Sequence, residues 1–191
     1  MLPYRHKPLT IFLLVFFFVG IACFIFLTAP LQYLLGEGIH GMHSAFHGML
    51  ASLYMITSTI GLYKSFQIFA ESEINFTSLK IGSIINAVAS LLTIISGNSL
   101  YIPYRAAEGP RTYFLQTSPF IHNIFFEFKE YTALLTLPCA VAATYIILKY
   151  TSELNSRKDV RLILATLLFL NFVFFFITFG LGAAITKLKS V

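Results

Sequence analysis

The sequence is poor in charge. Charged residues make up 11% of its 191 residues, whereas a soluble globular domain carries about 25%. Apolar residues make up 57%, and the mean hydropathy is +0.79. So few charges cannot cover the surface of a water-soluble chain of this size, which excludes a soluble enzyme and a disordered regulator. A nucleic-acid partner is also excluded, because the basic residues lie between apolar runs rather than on one face. We therefore expect the protein to lie in a lipid bilayer.

The signatures of several chemistries are missing as well. Cys23 and Cys139 have no Cys-x-x-Cys partner and no following His, which excludes covalent c-type haem and thioredoxin-like redox chemistry. There is no Gly-rich phosphate loop, Ser nucleophile elbow or His-Glu-x-x-His motif. No catalytic residue can therefore be assigned, and the enzyme class stays open, with a redox-active membrane subunit as the candidate.

Five long apolar runs dominate what is present. Each exceeds the roughly 20 residues that a helix needs to cross the hydrocarbon core, and helices are the structures that satisfy their own backbone there. The first run is too long for a signal peptide. We therefore predict an all-α, polytopic integral membrane protein. It would be one membrane domain over residues 1–191, a five-transmembrane-helix bundle with a polar external loop between helices 3 and 4. The predicted helices are about 9–35, 39–70, 79–102, 119–150 and 160–188.

The basic residues predict the orientation. Cytoplasmic loops of membrane proteins carry an excess of Lys and Arg. If the N-terminus is cytoplasmic, eight basic residues lie inside and five outside. We therefore predict a multi-pass protein of the cell inner (plasma) membrane with a cytoplasmic N-terminus. The eight are Arg5, Lys7, Lys64, Lys80, Lys149, Arg157, Lys158 and Arg161.

Three histidines open the second apolar run. His40, His43 and His47 are spaced by three and four residues, which places them on one helical face. His43 and His47 have a spacing that suits one metal ion, and either suits an axial position on haem. The alternative is a polar helix start at the membrane interface. Tight helix packing also competes, because a small-residue face runs beside the histidines: Gly41, Ala45, Gly48 and Ser52.

The segment 98–130 is the least apolar part of the chain. Counting 20 residues outward from the predicted inner helix ends, at 1.5 Å per residue, places His43, His47, Glu127 and Glu130 at a similar depth. Ionisable groups at that depth are functional candidates, and these four form the predicted metal site. His40 and His122 lie farther out at a shared level.

Two arginines complete the predicted site. Arg105 and Arg111 precede the fourth run, and a guanidinium near the bilayer needs an acceptor because it stays charged. We expect at least one of them to fold back over the bundle. Together with His40, His43, His47 and His122 they form the predicted cofactor-binding set. The alternative is a collar of ion pairs between these arginines and Glu127 and Glu130.

A continuous small and polar face marks the third run. It predicts helix packing with interhelical hydrogen bonds rather than a proton path. Asn171 and Thr178 on the fifth run are the expected partners. The face consists of Ser83, Asn86, Ser90, Thr93 and Gly97.

Three functions fit these residues. The first is binding of haem b or a transition-metal ion near the external face, in an electron-transfer or metal-handling role. The second is a non-catalytic membrane subunit or assembly factor that docks a partner through its external polar cap. The third is a small proton, ion or solute transporter, which the absence of an internal repeat disfavours. The expected partners are the lipid bilayer, other membrane subunits and a quinone.

Overall fold

The computed structural model describes residues 38–70 and 75–188, with side chains from residue 41 onward. All regular structure in this part of the chain is helical. Four helices in it are long and apolar enough to cross a membrane, spanning Gly41–Phe69, Phe76–Tyr104, Ile121–Lys149 and Lys158–Leu188. The second to fifth predicted runs are thus confirmed as helices. The first predicted span, 9–35, lies outside the described residues.

The helices follow each other along the chain with one short helix between the second and third long ones. We name them α1 to α5, and the π-helical turn Ile121–Phe126 leads directly into α4. Their bounds are Gly38–Phe69 (α1), Phe76–Tyr104 (α2), Pro110–Thr117 (α3), Glu127–Lys149 (α4) and Lys158–Leu188 (α5).

Local sequence explains two of the helix ends. Asn75 caps α2, because its side-chain oxygen accepts a hydrogen bond from the Ser78 backbone N–H at 2.9 Å. Gly109 precedes α3 in a tight turn, where a Cβ atom would lie 2.5 Å from the Pro103 carbonyl oxygen. Only glycine fits this close approach. It folds the segment after α2 into a cap that carries the short helix α3.

The four long helices form a ring. α1 packs against α2 and α5, and α4 packs against the same two helices. Over their described residues, α1 and α4 therefore face each other across the bundle. The equal depth of their ionisable residues predicts that these two helices pack directly against each other, but each of them packs mainly against α2 and α5.

The two halves of the bundle differ along its axis. We call the half that contains the end of α1 and the start of α2 the closed half, and the other the open half. The closed half is filled by a cluster of buried aliphatic side chains: Ile68, Leu79, Ala143, Ile147, Leu154, Val160, Leu164, Ala165 and Leu168. The open half contains a smaller, aromatic cluster: Tyr104, Phe114, Phe126 and Ile185.

A buried polar layer joins all four helices between the two halves. Asn171 of α5 donates to the Tyr54 hydroxyl at 2.7 Å and to the Thr136 carbonyl at 2.9 Å. Asn86 of α2 donates to the Asn171 side-chain oxygen at 2.8 Å. The predicted partnership between the polar face of α2 and Asn171 is confirmed. Thr178 instead shares a hydrogen bond with Thr132 of α4, at 2.9 Å.

Candidate functional site: a cavity in the open half

A cavity of about 590 Å³ lies among the four long helices in the open half. Its inner end reaches the polar layer at Tyr54, Ser90 and Thr136. Its outer end is lined by Tyr101 and Glu130, among others. Sites for small molecules and cofactors have volumes of about 300–1,000 Å³ and mostly apolar walls with a few polar groups. The cavity has the size and composition of such a site.

His47 of α1 lines this cavity, and its two ring nitrogens have different surroundings. Its Nδ1 atom lies 2.9 Å from the Ser96 hydroxyl oxygen, and that hydroxyl donates its own proton to the Thr93 carbonyl at 3.0 Å. With that proton on the carbonyl, Ser96 accepts from His47, and the ring proton lies on Nδ1. Nε2 then carries a lone pair, and the bond to Ser96 does not involve it.

Two glycines make room for ionisable side chains. A Cβ atom on Gly97 of α2 would lie 3.1 Å from Cε1 of His47, and one on Gly182 of α5 would lie 3.6 Å from Cε of Lys129. His47 reaches Ser96, six residues from the polar layer at Ser90, and Lys129 is seven residues from Thr136. At 1.5 Å per residue, Ser96 and Lys129 lie about 9–11 Å above the polar layer along their helices. A histidine and a lysine thus enter the cavity at one depth.

Lys129 and Glu130 bring charge to the cavity wall. Both are half-buried and both line the cavity. The Lys129 ammonium lies 4.9 Å from the centroid of the Phe126 ring, a cation–π contact that attracts the cation to the ring face. The ion pairs of the described residues do not include Lys129. Nothing in the sequence indicates that the Lys129 side chain lines a cavity.

His122 belongs to a separate network in the cap. The Arg111 Nε–H donates to its Nε2 at 3.2 Å, so the ring proton is on Nδ1 and is donated to the Tyr104 hydroxyl at 2.9 Å. His122 is buried and both of its nitrogens are engaged. In this arrangement it has no lone pair left for a metal.

The π-helical turn explains a contact that α-helical spacing does not predict. In a π-helix the hydrogen bonds join residues i and i+5, and the Glu127 N–H bonds to the His122 carbonyl. This geometry brings the two side chains together, with 3.8 Å between His122 Nε2 and Glu127 Oε1. In an α-helix these residues would lie on different faces. The sequence also gave no sign that Tyr104 takes part in this network, because its neighbours in the sequence resemble those of other tyrosines near the predicted helix ends.

Arg111 folds back as predicted and Arg105 stays exposed, and both contact other partners than expected. Arg111 bonds to His122. Arg105 lies over the Tyr101 ring at 4.2 Å from its centroid and donates to the Tyr101 hydroxyl. Neither takes part in an ion pair with Glu127 or Glu130 among the described residues. The predicted collar of ion pairs is wrong, because aromatic and imidazole groups of the cap accept from these guanidinium groups instead.

The predicted site residues are therefore divided between two places. His47 and Glu130 line the cavity, whereas His122, Arg111 and Glu127 meet in the cap. His43 lies on α1 one turn from His47, and the His40 side chain lies outside the described part. Among the described residues, no group of three or more His, Cys, Asp or Glu side chains is arranged to hold a metal ion. The predicted set of His43, His47, Glu127 and Glu130 is thus not gathered into one metal centre there.

Comparison with protein-family models, with curated proteins and with solved structures finds no match for this chain.

Proposed function

We propose that this multi-pass membrane protein holds a b-type haem in the cavity of its open half, with His47 Nε2 as the axial ligand. The observation that carries the proposal is the Nε2 lone pair of a histidine that lines a cavity of about 590 Å³. A metal-ligating histidine almost always donates its other ring N–H to a protein acceptor, which fixes the ring. Ser96 is such an acceptor for His47.

The number of available ligands favours haem over a bare metal ion. A structural zinc site needs four protein ligands and a catalytic one needs three, and the described residues offer no such group. Haem iron needs one axial histidine, because the porphyrin supplies the other four nitrogens. The aromatic and aliphatic walls of the cavity suit the apolar porphyrin face.

Haem in this place supports a redox role. Iron held by a single histidine keeps a second axial position, and the polarity of the surrounding pocket decides between ligand binding and electron transfer. We propose electron exchange with a second membrane component, such as a quinone or another subunit. In the predicted orientation the cavity opens toward the external face.

The test is an optical spectrum of the purified protein before and after dithionite. We expect a Soret band that shifts on reduction, together with the visible bands of reduced haem. His47→Gly should lose these bands, and added imidazole should restore them by replacing the missing ligand. Thr59→Ala is the matched control, because the Thr59 hydroxyl is exposed on the same helix and bonds to its own backbone at Met55.

Two outcomes would overturn the proposal. One is a colourless protein that stays colourless after haem is added, and the other is a His47→Gly variant with an unchanged spectrum.

The predicted orientation has its own test. A reporter enzyme that is active only outside the cell should be active when fused after Leu188 and inactive when inserted in the 150–157 turn.

A further inference from the structure

We infer that Lys129 binds an acidic group of the molecule in the cavity, so that the site selects amphiphiles with a carboxylate head over neutral ones. This inference rests on the proposed function, and it concerns which ligands the cavity accepts. It starts from the charges of the lining. Among the described lining residues there are two lysines, Lys129 and Lys187, and one carboxylate, Glu130, which gives this part of the lining a net positive charge.

The position of Lys129 is fixed by its neighbours. Its Cε atom passes the open space at Gly182, and its ammonium lies over the Phe126 ring. Both contacts hold the side chain against the cavity wall. A fixed ammonium loses less conformational freedom on binding than a mobile one.

The ammonium also lacks a strong partner within the described protein. Glu130 is the adjacent residue and acts on Lys129 electrostatically, but the two do not form an ion pair. Consecutive residues of a helix point about 100° apart, which directs the two side chains differently. A charge-assisted hydrogen bond to a ligand carboxylate is available at this position, and it is stronger than a neutral one.

The remaining lining predicts how the molecule lies. The deeper walls are mainly apolar, apart from the polar layer at the inner end. An amphiphile would therefore place its apolar body there and its acidic head at Lys129. These deeper apolar residues are Ala51, Ile94, Ala133, Phe175 and Phe179.

The experiment compares haem b with haem b dimethyl ester, in which both carboxylates are neutral. Each is titrated into the full-length protein after haem removal. We expect the unmodified protein to bind the free acid about tenfold more tightly or better, the range of one hydrogen bond to a charged group. Lys129→Met should bind the acid as weakly as the ester, and its affinity for the ester should be unchanged.

Lys149→Met is the matched control. Lys149 lies on the same helix and also contacts an aromatic ring, at 5.3 Å from the Tyr145 centroid, but it lies at the opposite end of the bundle. It should keep the preference for the acid. Lys129→Arg should keep it too, which separates loss of charge from misfolding if Lys129→Met is unstable.

The outcomes distinguish this inference from the proposed function. Equal affinities of the unmodified protein for acid and ester would overturn the inference and leave haem binding intact. A preference for the acid that survives in Lys129→Met would also overturn it. Failure to bind either compound would refute the proposed function itself.

Discussion

The open and closed halves of the bundle are built from the same four helices, yet the described residues fill their axes differently. In the closed half the axis is filled by fully buried side chains, such as Ala143, Ile147 and Ala165, each at 0% exposure. In the open half the corresponding space is a cavity of about 590 Å³. The open half therefore has room for a bound molecule, and we expect it to be occupied.

The comparison shows that hydrophobic composition alone does not determine how densely a half of the bundle is packed. Both halves are apolar, and they differ in the residues that face the axis. The closed half alternates alanine with larger aliphatic residues, which interdigitate. The open half places glycine opposite His47 and Lys129. In the open half these glycines make space for polar side chains, whereas in the closed half small residues let two helices pack closely.

The largest expected effect concerns the polar layer between the halves. Asn171→Leu would remove three hydrogen bonds, two of which join Asn171 to the side chains of Tyr54 and Asn86. Bonds of this kind contribute roughly 0.6–2 kcal/mol each in membranes, so we expect about 2–6 kcal/mol of destabilisation. Unfolding in detergent by denaturant titration measures it. Thr166→Ala on the same helix, where the exposed hydroxyl bonds to its own backbone, should stay within about 0.5 kcal/mol. Equal stability of the two variants would show that the hydrogen bonds of the polar layer do not stabilise the bundle.

A single substitution made in both halves tests the contrast next. Ala143 and Ala133 lie on α4, the first fully buried in the closed half and the second on the cavity wall. Ala143→Leu should cost about 1–3 kcal/mol, because added methyl groups overpack a filled core. Ala133→Leu should change stability little but reduce haem content, since the leucine occupies the cavity. Similar destabilisation in both variants would show that the open half is packed as tightly as the closed one.

A third pair of substitutions sharpens the comparison at His47. Gly97→Ala would put a methyl group 3.1 Å from the His47 ring, so the ring must shift. We expect haem affinity to fall by about three- to tenfold, or roughly 1 kcal/mol. Gly82→Ala on the same helix has nothing within 4 Å and should bind haem normally. Alanine should also favour the helix there by up to about 1 kcal/mol. Haem titration of both variants decides the point.

The smallest effect is expected in the cap. Arg111→Lys keeps the charge but loses the Nε–H that bonds to the buried His122. A cost of about 0.5–1.5 kcal/mol follows from one lost hydrogen bond. Arg105→Lys should cost less, because Arg105 is exposed and a lysine also stacks on Tyr101. Thermal unfolding of the two variants, measured side by side, should rank Arg111→Lys below Arg105→Lys. The reverse order would show that the cap is held by Tyr101 rather than by His122.

Apolar run length predicted the four described spanning helices well, because burial in lipid sets both the length and the composition of a helix. The polar spacing on α2 also predicted its bonds to Asn171. The cavity was not predictable, because it depends on which helices are neighbours and on the positions of Gly97 and Gly182 opposite longer side chains. The contact between His122 and Glu127 was missed for a local reason, since the π-helical turn changes the side-chain spacing that α-helical counting assumes.

The most direct test of the account is an experimental map of the protein purified with its bound components. We predict planar density in the open half, with His47 Nε2 within bonding distance of its centre and Nδ1 on Ser96. The closed half should show side chains alone. A cavity that holds only lipid or water, or a His47 with both nitrogens bonded to protein, would contradict the account.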